Sequence, residues 1–121
     1  MTKTIQENFW ESEFGDDYIK RNSLNNEELD ESYKQKFGVL RSDMNSEFLS
    51  GLEIKNILEV GCSEGNQLSL LRAKGYKNLS GVEINKTAVE LAKQRLTGVQ
   101  IVEGSAFEIP FGDKTFDLVF T

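Results

Sequence analysis

The chain has 121 residues, of which 38% are hydrophobic and 28% are charged, and this length fits a single domain with one core. Its formal net charge is −6, and because an acidic surface repels phosphate backbones, nucleic acid is excluded as an expected partner. One cysteine and no histidine exclude a disulfide framework, a histidine general base and the commonest zinc sites.

The first 50 residues are predicted to form a helical segment. Phe9, Trp10, Phe14 and Tyr18 are spaced so that several of them share one helical face. Such a stripe either docks the segment on the rest of the domain or forms a lid over a ligand, and docking is the commoner use of aromatic residues at this spacing. We therefore interpret residues 1–50 as an N-terminal helical segment or lid.

Two further helices are predicted within the same segment. Asn25 and Glu28 have capping-box spacing, which indicates the start of a helix that runs through Lys36 and ends at Gly38. A second helix is predicted over residues 42–49.

In residues 51–121, short β-branched runs alternate with helical segments. In chain order, the predicted elements are strand Asn56–Val60, helix Asn66–Lys74, strand Leu79–Ile84, helix Thr87–Leu96, strand Val99–Val102 and strand Phe116–Phe120. Strands that alternate with helices of about ten residues imply parallel pairing. This part is predicted to be a partial α/β domain with a Rossmann-like, doubly wound parallel sheet.

The helix after the second predicted strand has its own signals. Thr87 and Glu90 have capping-box spacing, which predicts the start of this helix. Its buried face is predicted from four apolar residues at helical spacing, namely Ala88, Leu91, Ala92 and Leu96.

The sequence EVGCSEGN, residues 59–66, forms a glycine-containing turn between the first predicted strand and the next helix. In a doubly wound sheet this turn lies beside the ligand crevice. Gly61 and Gly65 allow positive φ, and without a Cβ they allow a ligand to approach the backbone closely. The helix start that follows favours a negatively charged ligand group. Cys62 has no visible basic partner that would lower its pKa, so we interpret it as a small buried residue rather than a nucleophile.

Glu83 lies in GVEIN at the carboxyl end of the second predicted strand, 18 residues after Gly65. A carboxylate at this place can accept hydrogen bonds from both hydroxyls of an adenosyl ribose. An ordinary charged residue that closes a strand explains the sequence about equally well. The pattern therefore indicates adenosine more strongly than it indicates any one cofactor.

Four motifs in chain order, ILEVGCSEGN, GVEIN, EGSAFEIPF and FDLVFT, together resemble the class I S-adenosylmethionine-dependent methyltransferases over roughly residues 54–121. Glu59, Gly61 and Gly65 match that family's acid-x-G-x-G-x-G pattern, and Ser63 replaces its middle glycine. The three-glycine pattern of dinucleotide enzymes is missed at two positions. The N-terminal FWESEFGDDYIKRN further resembles the methylases associated with pseudaminic acid biosynthesis.

The resemblance implies S-adenosylmethionine as cofactor and a small-molecule acceptor such as a sugar or nucleotide sugar. The implied cofactor-binding residues are Glu59, Gly61, Cys62, Ser63, Gly65, Glu83, Ile84, Ser105, Ala106 and Phe107. Many family members carry an acid where this chain has Ser105, and that acid takes the adenine amino group. A serine hydroxyl carries no charge, so we expect adenine recognition to be weaker, or shared with Glu103 or Glu108. The sequence identifies no catalytic residue and no metal site.

Two alternatives stay open, a cofactor-binding module without turnover and, less favoured, a dinucleotide-dependent oxidoreductase. Family members continue beyond the equivalent of FDLVFT, so we expect a truncated form with little methyl transfer activity of its own. Its fourth strand would be an open apolar edge, which predicts a homo-oligomer joined through that strand or through a swapped N-terminal helix. Without an apolar signal core or a long apolar run, the protein is expected to be cytoplasmic and to have no membrane partner.

Overall fold

The computed structural model describes residues 2–121 as four helices followed by an α/β unit. The helices are α1 (Ile5–Glu11), α2 (Glu13–Arg21), α3 (Asn26–Phe37), α4 (Arg41–Leu49), α5 (Asn66–Ala73) and α6 (Lys86–Arg95). The strands are β1 (Asn56–Val60), β2 (Asn78–Glu83), β3 (Gln100–Glu103) and β4 (Leu118–Phe120). The predicted α/β fold with a Rossmann-like parallel sheet is confirmed.

The four strands pair in the order β3-β2-β1-β4, and every pair is parallel. In the central register, Leu58 of β1 lies opposite Ser80 of β2 on one side and Val119 of β4 on the other. The chain therefore adds β2 and β3 on one side of β1 and then returns to the other side with β4. The carboxyl end of β1 lies where the strand order switches, which is where doubly wound sheets bind their ligands.

The fourth strand is shorter than the predicted Phe116–Phe120. The Phe116 ring packs edge-on against Phe111, with 5.2 Å between the ring centroids. The Asp117 carboxylate accepts hydrogen bonds of 2.9 Å from the backbone amides of Lys55 and Asn56. These contacts fix Phe116 and Asp117 outside the strand ladder, so β4 begins at Leu118.

The start of α6 corrects one sequence-based prediction. The helix begins at Lys86, and its N-cap is Asn85, whose side-chain oxygen accepts a hydrogen bond of 2.9 Å from the Ala88 amide. The predicted capping box at residues 87–90 is wrong because the chain is already helical at Thr87.

The buried face of α6 is also partly different from the prediction. Ala88, Ala92 and Leu96 are fully buried as expected, whereas Leu91 is 36% exposed and Val89 is buried in its place. The buried core joins β1, β2 and β3 to α5 and α6, and its members are Ile57, Cys62, Leu68, Leu71, Leu79, Val89, Ala92, Leu96 and Ile101.

Three of the N-terminal helices pack against the layer formed by α5 and α6. Helix α2 contacts α6, and α3 and α4 contact α5. The predicted capping box at Asn25 and Glu28 is present, and Gly38 ends α3 with a φ of +79°. The aromatic stretch forms two helices that meet at Ser12, an extended residue. Within residues 2–121, no helix has the length and apolar character needed to cross a membrane.

Candidate functional site

A cavity of about 410 Å³ lies where the carboxyl ends of β1, β2 and β3 meet the N-terminal helices. Its volume falls within the roughly 300–1,000 Å³ typical of small-molecule sites. The residues that line it are Gln6, Glu7, Trp10, Tyr18, Ile19, Gly61, Ser63, Val82, Glu83, Ile84, Asn85, Gly104, Ser105, Ala106 and Phe107.

The structure brings most of the predicted site residues to this one cavity. Those that line it are Gly61, Ser63, Glu83, Ile84, Ser105, Ala106 and Phe107. Glu59, Cys62 and Gly65 belong to the turn sequence but are buried, and they do not line the cavity. Three separate motifs of the sequence thus converge because the strands that precede them are neighbours in the sheet.

The two glycines of the turn have different surroundings. Gly61 has a φ of +73°, and a Cβ added to it would find only the Thr121 Oγ1 atom within 4 Å, at 3.9 Å. Gly65 has a φ of +87°, and a Cβ there would lie 2.4 Å from the Leu96 Cδ1 atom. Gly61 therefore leaves room beside the cavity, whereas Gly65 allows the turn to pack closely on α6.

Glu83 is fixed in place by backbone amides. Its Oε2 atom accepts a hydrogen bond of 2.8 Å from the Ser63 amide, and its Oε1 atom accepts bonds of 3.0 Å from the Ile84 and Asn85 amides. A carboxylate offers about four acceptor positions, and three are used here. Glu83 therefore retains capacity for about one further donor in this arrangement, and its bonds to the two ribose hydroxyls stay a prediction.

Two residues of the turn sequence, Glu59 and Cys62, are buried. Glu59 is 6% exposed, and its Oε1 atom has no hydrogen-bond partner among the described residues. Burial raises the pKa of Glu59 to about 8, and the positive charge of Arg41 opposes this rise. Cys62 is 3% exposed, and burial also raises the pKa of its thiol. The interpretation of Cys62 as a small buried residue is confirmed.

A polar cluster that the sequence did not predict lies on the Glu59 face of the sheet. Arg41 donates hydrogen bonds of 3.0 Å to the Tyr33 hydroxyl and to the Asn45 side-chain oxygen. The Asn45 Nδ2 atom is buried and lacks a partner within residues 2–121. Arg41 and Asn45 line a second cavity of about 150 Å³ together with Phe120 of β4. This cluster combines a cation with one unpaired donor, the Asn45 side-chain nitrogen.

The N-terminal helices form one wall of the main cavity. Trp10 and Tyr18 line it, and the Asn85 Nδ2 atom donates hydrogen bonds to the Trp10 carbonyl at 2.8 Å and to Asp16 Oδ1 at 2.9 Å. Gly15 packs so closely that a Cβ would lie 2.0 Å from the Trp10 carbonyl oxygen. The four aromatic side chains, Phe9, Trp10, Phe14 and Tyr18, are 39–45% exposed and pack mainly on one another. The stripe therefore gives two side chains to the cavity, whereas backbone and glycine contacts hold the segment against Asn85. Its movement as a lid stays a prediction.

Glu7 of α1 reaches the loop after β3. The Ser105 hydroxyl donates a hydrogen bond to Glu7 Oε1 and accepts one of 3.1 Å from the Phe107 amide. The Thr4 amide donates to Glu7 Oε2 at 2.6 Å. The Ser105 hydroxyl and then the Thr4 amide lower the pKa of Glu7, so this carboxylate is ionised at neutral pH. No local sequence pattern connects residues 98 positions apart.

The two acids that the sequence offered as helpers of Ser105 do not reach the cavity. Glu103 and Glu108 are both exposed, and neither lines it. Glu7 and Glu83 are the acidic residues in the lining. Within the described part of the chain, no group of three His, Cys, Asp or Glu side chains could hold a metal ion.

Comparison with known proteins places these features in a family. Residues 58–121 match the family described as a methyltransferase domain. A fatty-acid O-methyltransferase of Mycolicibacterium smegmatis is 35% identical over 72 residues, which is 56% of this chain and 26% of that protein. A phthiotriol/phenolphthiotriol dimycocerosates methyltransferase of Mycobacterium tuberculosis is 37% identical over 68 residues, 54% of this chain and 25% of that protein. The chain thus spans about a quarter of the length of these relatives.

A solved structure agrees with the fold. The S-adenosylmethionine-bound amino pentose methyltransferase CalS10 of Micromonospora echinaspora superposes with a TM-score of 0.56 at 22% identity, over 89% of this chain and 40% of that one. At this identity the likeness concerns the fold alone. Since the family match covers more than half of the residues and includes the glycine turn and β2, the chain belongs to the methyltransferase domain family.

Proposed function

We propose that this domain binds S-adenosylmethionine in the main cavity and serves methyl transfer to a small-molecule acceptor. The observation that carries the proposal is the Glu83 carboxylate, which amides of the glycine turn and of its own loop hold at the edge of the cavity. Its remaining acceptor position can take a hydrogen bond from a sugar hydroxyl of a ligand in the cavity. The adenosyl ribose would lie there.

The other residues fit the remaining parts of the cofactor. Ile84, Ala106 and Phe107 give the cavity an apolar wall next to Glu83, which suits a nucleobase. Gly61 leaves space for the chain that leads from the ribose to the methionine end. Glu59 and Arg41 lie outside this lining, and we assign no part of the cofactor to them.

Methyl transfer needs positioning more than acid–base chemistry. When bound, S-adenosylmethionine supplies a methyl group on a positively charged sulfur, already activated for displacement. The residues of this domain have to hold that group in line with the acceptor atom and to exclude water. A base is required only if the acceptor must lose a proton, and we assign that role to no residue.

The acceptor class rests on two kinds of likeness. The N-terminal resemblance to pseudaminic acid methylases favours a sugar or nucleotide sugar, whereas the names of the two relatives concern fatty-acid and phthiotriol methylation. Most of these compounds carry hydroxyl groups. We propose a hydroxyl-bearing small molecule and leave the individual acceptor open to the assay below.

Calorimetric titration tests the proposal against its alternatives. S-adenosylhomocysteine should bind to the 121-residue chain and NADH should not; the reverse result would support a dinucleotide-dependent enzyme and overturn the proposal. Transfer of a labelled methyl group to sugar, nucleotide-sugar or hydroxylated lipid acceptors then separates an enzyme from a cofactor-binding module without turnover. Cofactor binding without transfer to any of these acceptors would favour the module.

Assembly and location also stay proposals. We propose a cytoplasmic protein that self-associates through β4, an edge of the described sheet, or through an exchanged N-terminal helix. Sedimentation at micromolar concentration checks the association, and a clean monomer would contradict it.

A further inference from the structure

Glu7 lines the main cavity beside the loop after β3, where it accepts a hydrogen bond from Ser105. We propose that Glu7, a residue of the N-terminal helix α1, accepts a hydrogen bond from the exocyclic amine of the base of the bound nucleoside and so makes the site selective for amino-purines over oxo-purines. This inference rests on the proposed function, because it takes the ribose to lie at Glu83.

The positions of the strands give the direction of the base. Glu83 ends β2, and β3 is the neighbour of β2 on the side away from β1. A nucleoside whose ribose lies at Glu83 and whose methionine end points to Gly61, after β1, must extend its base toward the loop after β3. That loop supplies Ser105, Ala106 and Phe107 to the cavity, and Glu7 contacts it directly.

Hydrogen-bond capacity separates Glu7 from Ser105. The Ser105 hydroxyl uses its only donor on Glu7 and one acceptor position on the Phe107 amide. Glu7 uses one position on each oxygen, for Ser105 and for the Thr4 amide. A carboxylate has about four positions, so Glu7 retains acceptor capacity on both oxygens.

Charge then decides which base fits. An ionised carboxylate only accepts hydrogen bonds, so it favours the amine of adenine and repels the carbonyl oxygen at the same position of hypoxanthine. Gln6 is the other polar residue of α1 in the lining, and its uncharged amide can both donate and accept, so it does not by itself distinguish the two bases. Because Glu7 lies on α1, selective binding would also require that this helix is docked, which links the N-terminal segment to the cofactor.

The substitution Glu7→Gln tests this role with little damage to the helix. Glutamine can replace glutamate in a capping box, so the bond to the Thr4 amide is retained. Its amide can donate to a carbonyl oxygen, which the carboxylate cannot do. Glu11→Gln is the matched control, because Glu11 lies on the same helix, pairs with Lys3 and does not line the cavity.

The readout is the ratio of dissociation constants for S-inosylhomocysteine and S-adenosylhomocysteine, measured by calorimetry. We expect the wild type and Glu11→Gln to prefer the adenosyl compound by roughly tenfold or more, and Glu7→Gln to lose most of that preference. An unchanged ratio in Glu7→Gln, or equal weakening of both compounds, would overturn the inference and leave the proposed function standing. Binding of neither compound to the wild type would overturn both.

Discussion

Replacement of Glu83 by alanine should reduce both the free energy of unfolding and the affinity for the cofactor. The two losses come from different hydrogen bonds, so each can be calculated separately. The partly buried carboxylate accepts three backbone amides. Amides at a cavity wall regain some hydration, so about 1 kcal/mol each is reasonable, and Glu83→Ala should lower the free energy of unfolding by roughly 3 kcal/mol.

The effect on binding comes from the remaining acceptor position. One hydrogen bond to a charged group contributes about 1.5–3 kcal/mol, so Glu83→Ala should weaken S-adenosylhomocysteine binding roughly 10- to 150-fold. Had both ribose hydroxyls bonded to this carboxylate, the loss would be the square of that factor. Calorimetry at low temperature, where the variant stays folded, measures the change.

A matched control is available on the adjacent strand. Glu103 lies opposite Glu83 in the β2–β3 register, carries the same charge, and is exposed outside the cavity. Glu103→Ala should therefore leave both quantities almost unchanged. A folded Glu83→Ala variant, verified by circular dichroism, that binds S-adenosylhomocysteine within twofold of the wild type would refute the assignment of the ribose to Glu83.

Two further predictions concern the residues around the turn. Gly65→Ala should lower the free energy of unfolding by roughly 2–5 kcal/mol in chemical denaturation, because the positive φ and the clash with Leu96 act together. Gly61→Ala should lower it by about 1–2 kcal/mol and should mainly weaken cofactor binding. Similar stability losses in the two variants would contradict this explanation. Burial raises the pKa of Glu59 from 4.5 to about 8, and the charge of Arg41 opposes this rise. Between pH 4.5 and pH 8 the folded state therefore keeps a proton that the unfolded state has already lost. Over this range the free energy of unfolding should therefore fall by up to about 1.4 kcal/mol per pH unit relative to Glu59→Gln. Urea denaturation at about pH 5 and pH 8 measures the change, and an equal change in the two proteins would show that the pKa of Glu59 is not raised.

The sequence predicted the elements well where local propensity and packing in the sheet favour the same structure. β1 has the predicted bounds, β2 and β3 are each shifted by one residue, and α5 ends one residue earlier than predicted. Parallel pairing then brings the ends of successive strands to one edge, so Gly61, Glu83 and Ser105 could be placed together without knowledge of any contact.

The errors have physical causes that local patterns do not contain. In α6 the positions of Ala88, Ala92 and Leu96 are compatible with either Leu91 or Val89 on the buried face, and packing against the sheet selects Val89. Asn85 caps α6 with its side-chain oxygen, and its amide nitrogen also bonds to the N-terminal helices. That second role depends on tertiary structure.

The largest omission was the contribution of the N-terminal helices to the cavity. The aromatic spacing of α1 and α2 predicted a docking surface or a lid, but it did not indicate which side chain would face a ligand. Glu7 reads locally as a capping-box residue, and its capping bond is indeed present. Its contact with Ser105 depends on how α1 lies across the sheet edge, which no periodicity in the sequence reports.

Gly15 makes one position of the N-terminal segment unusually intolerant of change. Any side chain there would collide with the Trp10 carbonyl and the Asn85 amide, although Gly15 lies far along the sequence from the glycine turn. An alignment of relatives that retain these two helices should therefore show glycine at this position even where the surrounding aromatic residues vary. Substitution by a larger residue would detach α1 and α2 while the buried core of the sheet stays intact. The protein would then be cut by proteases near Ser12 and remain folded beyond α4.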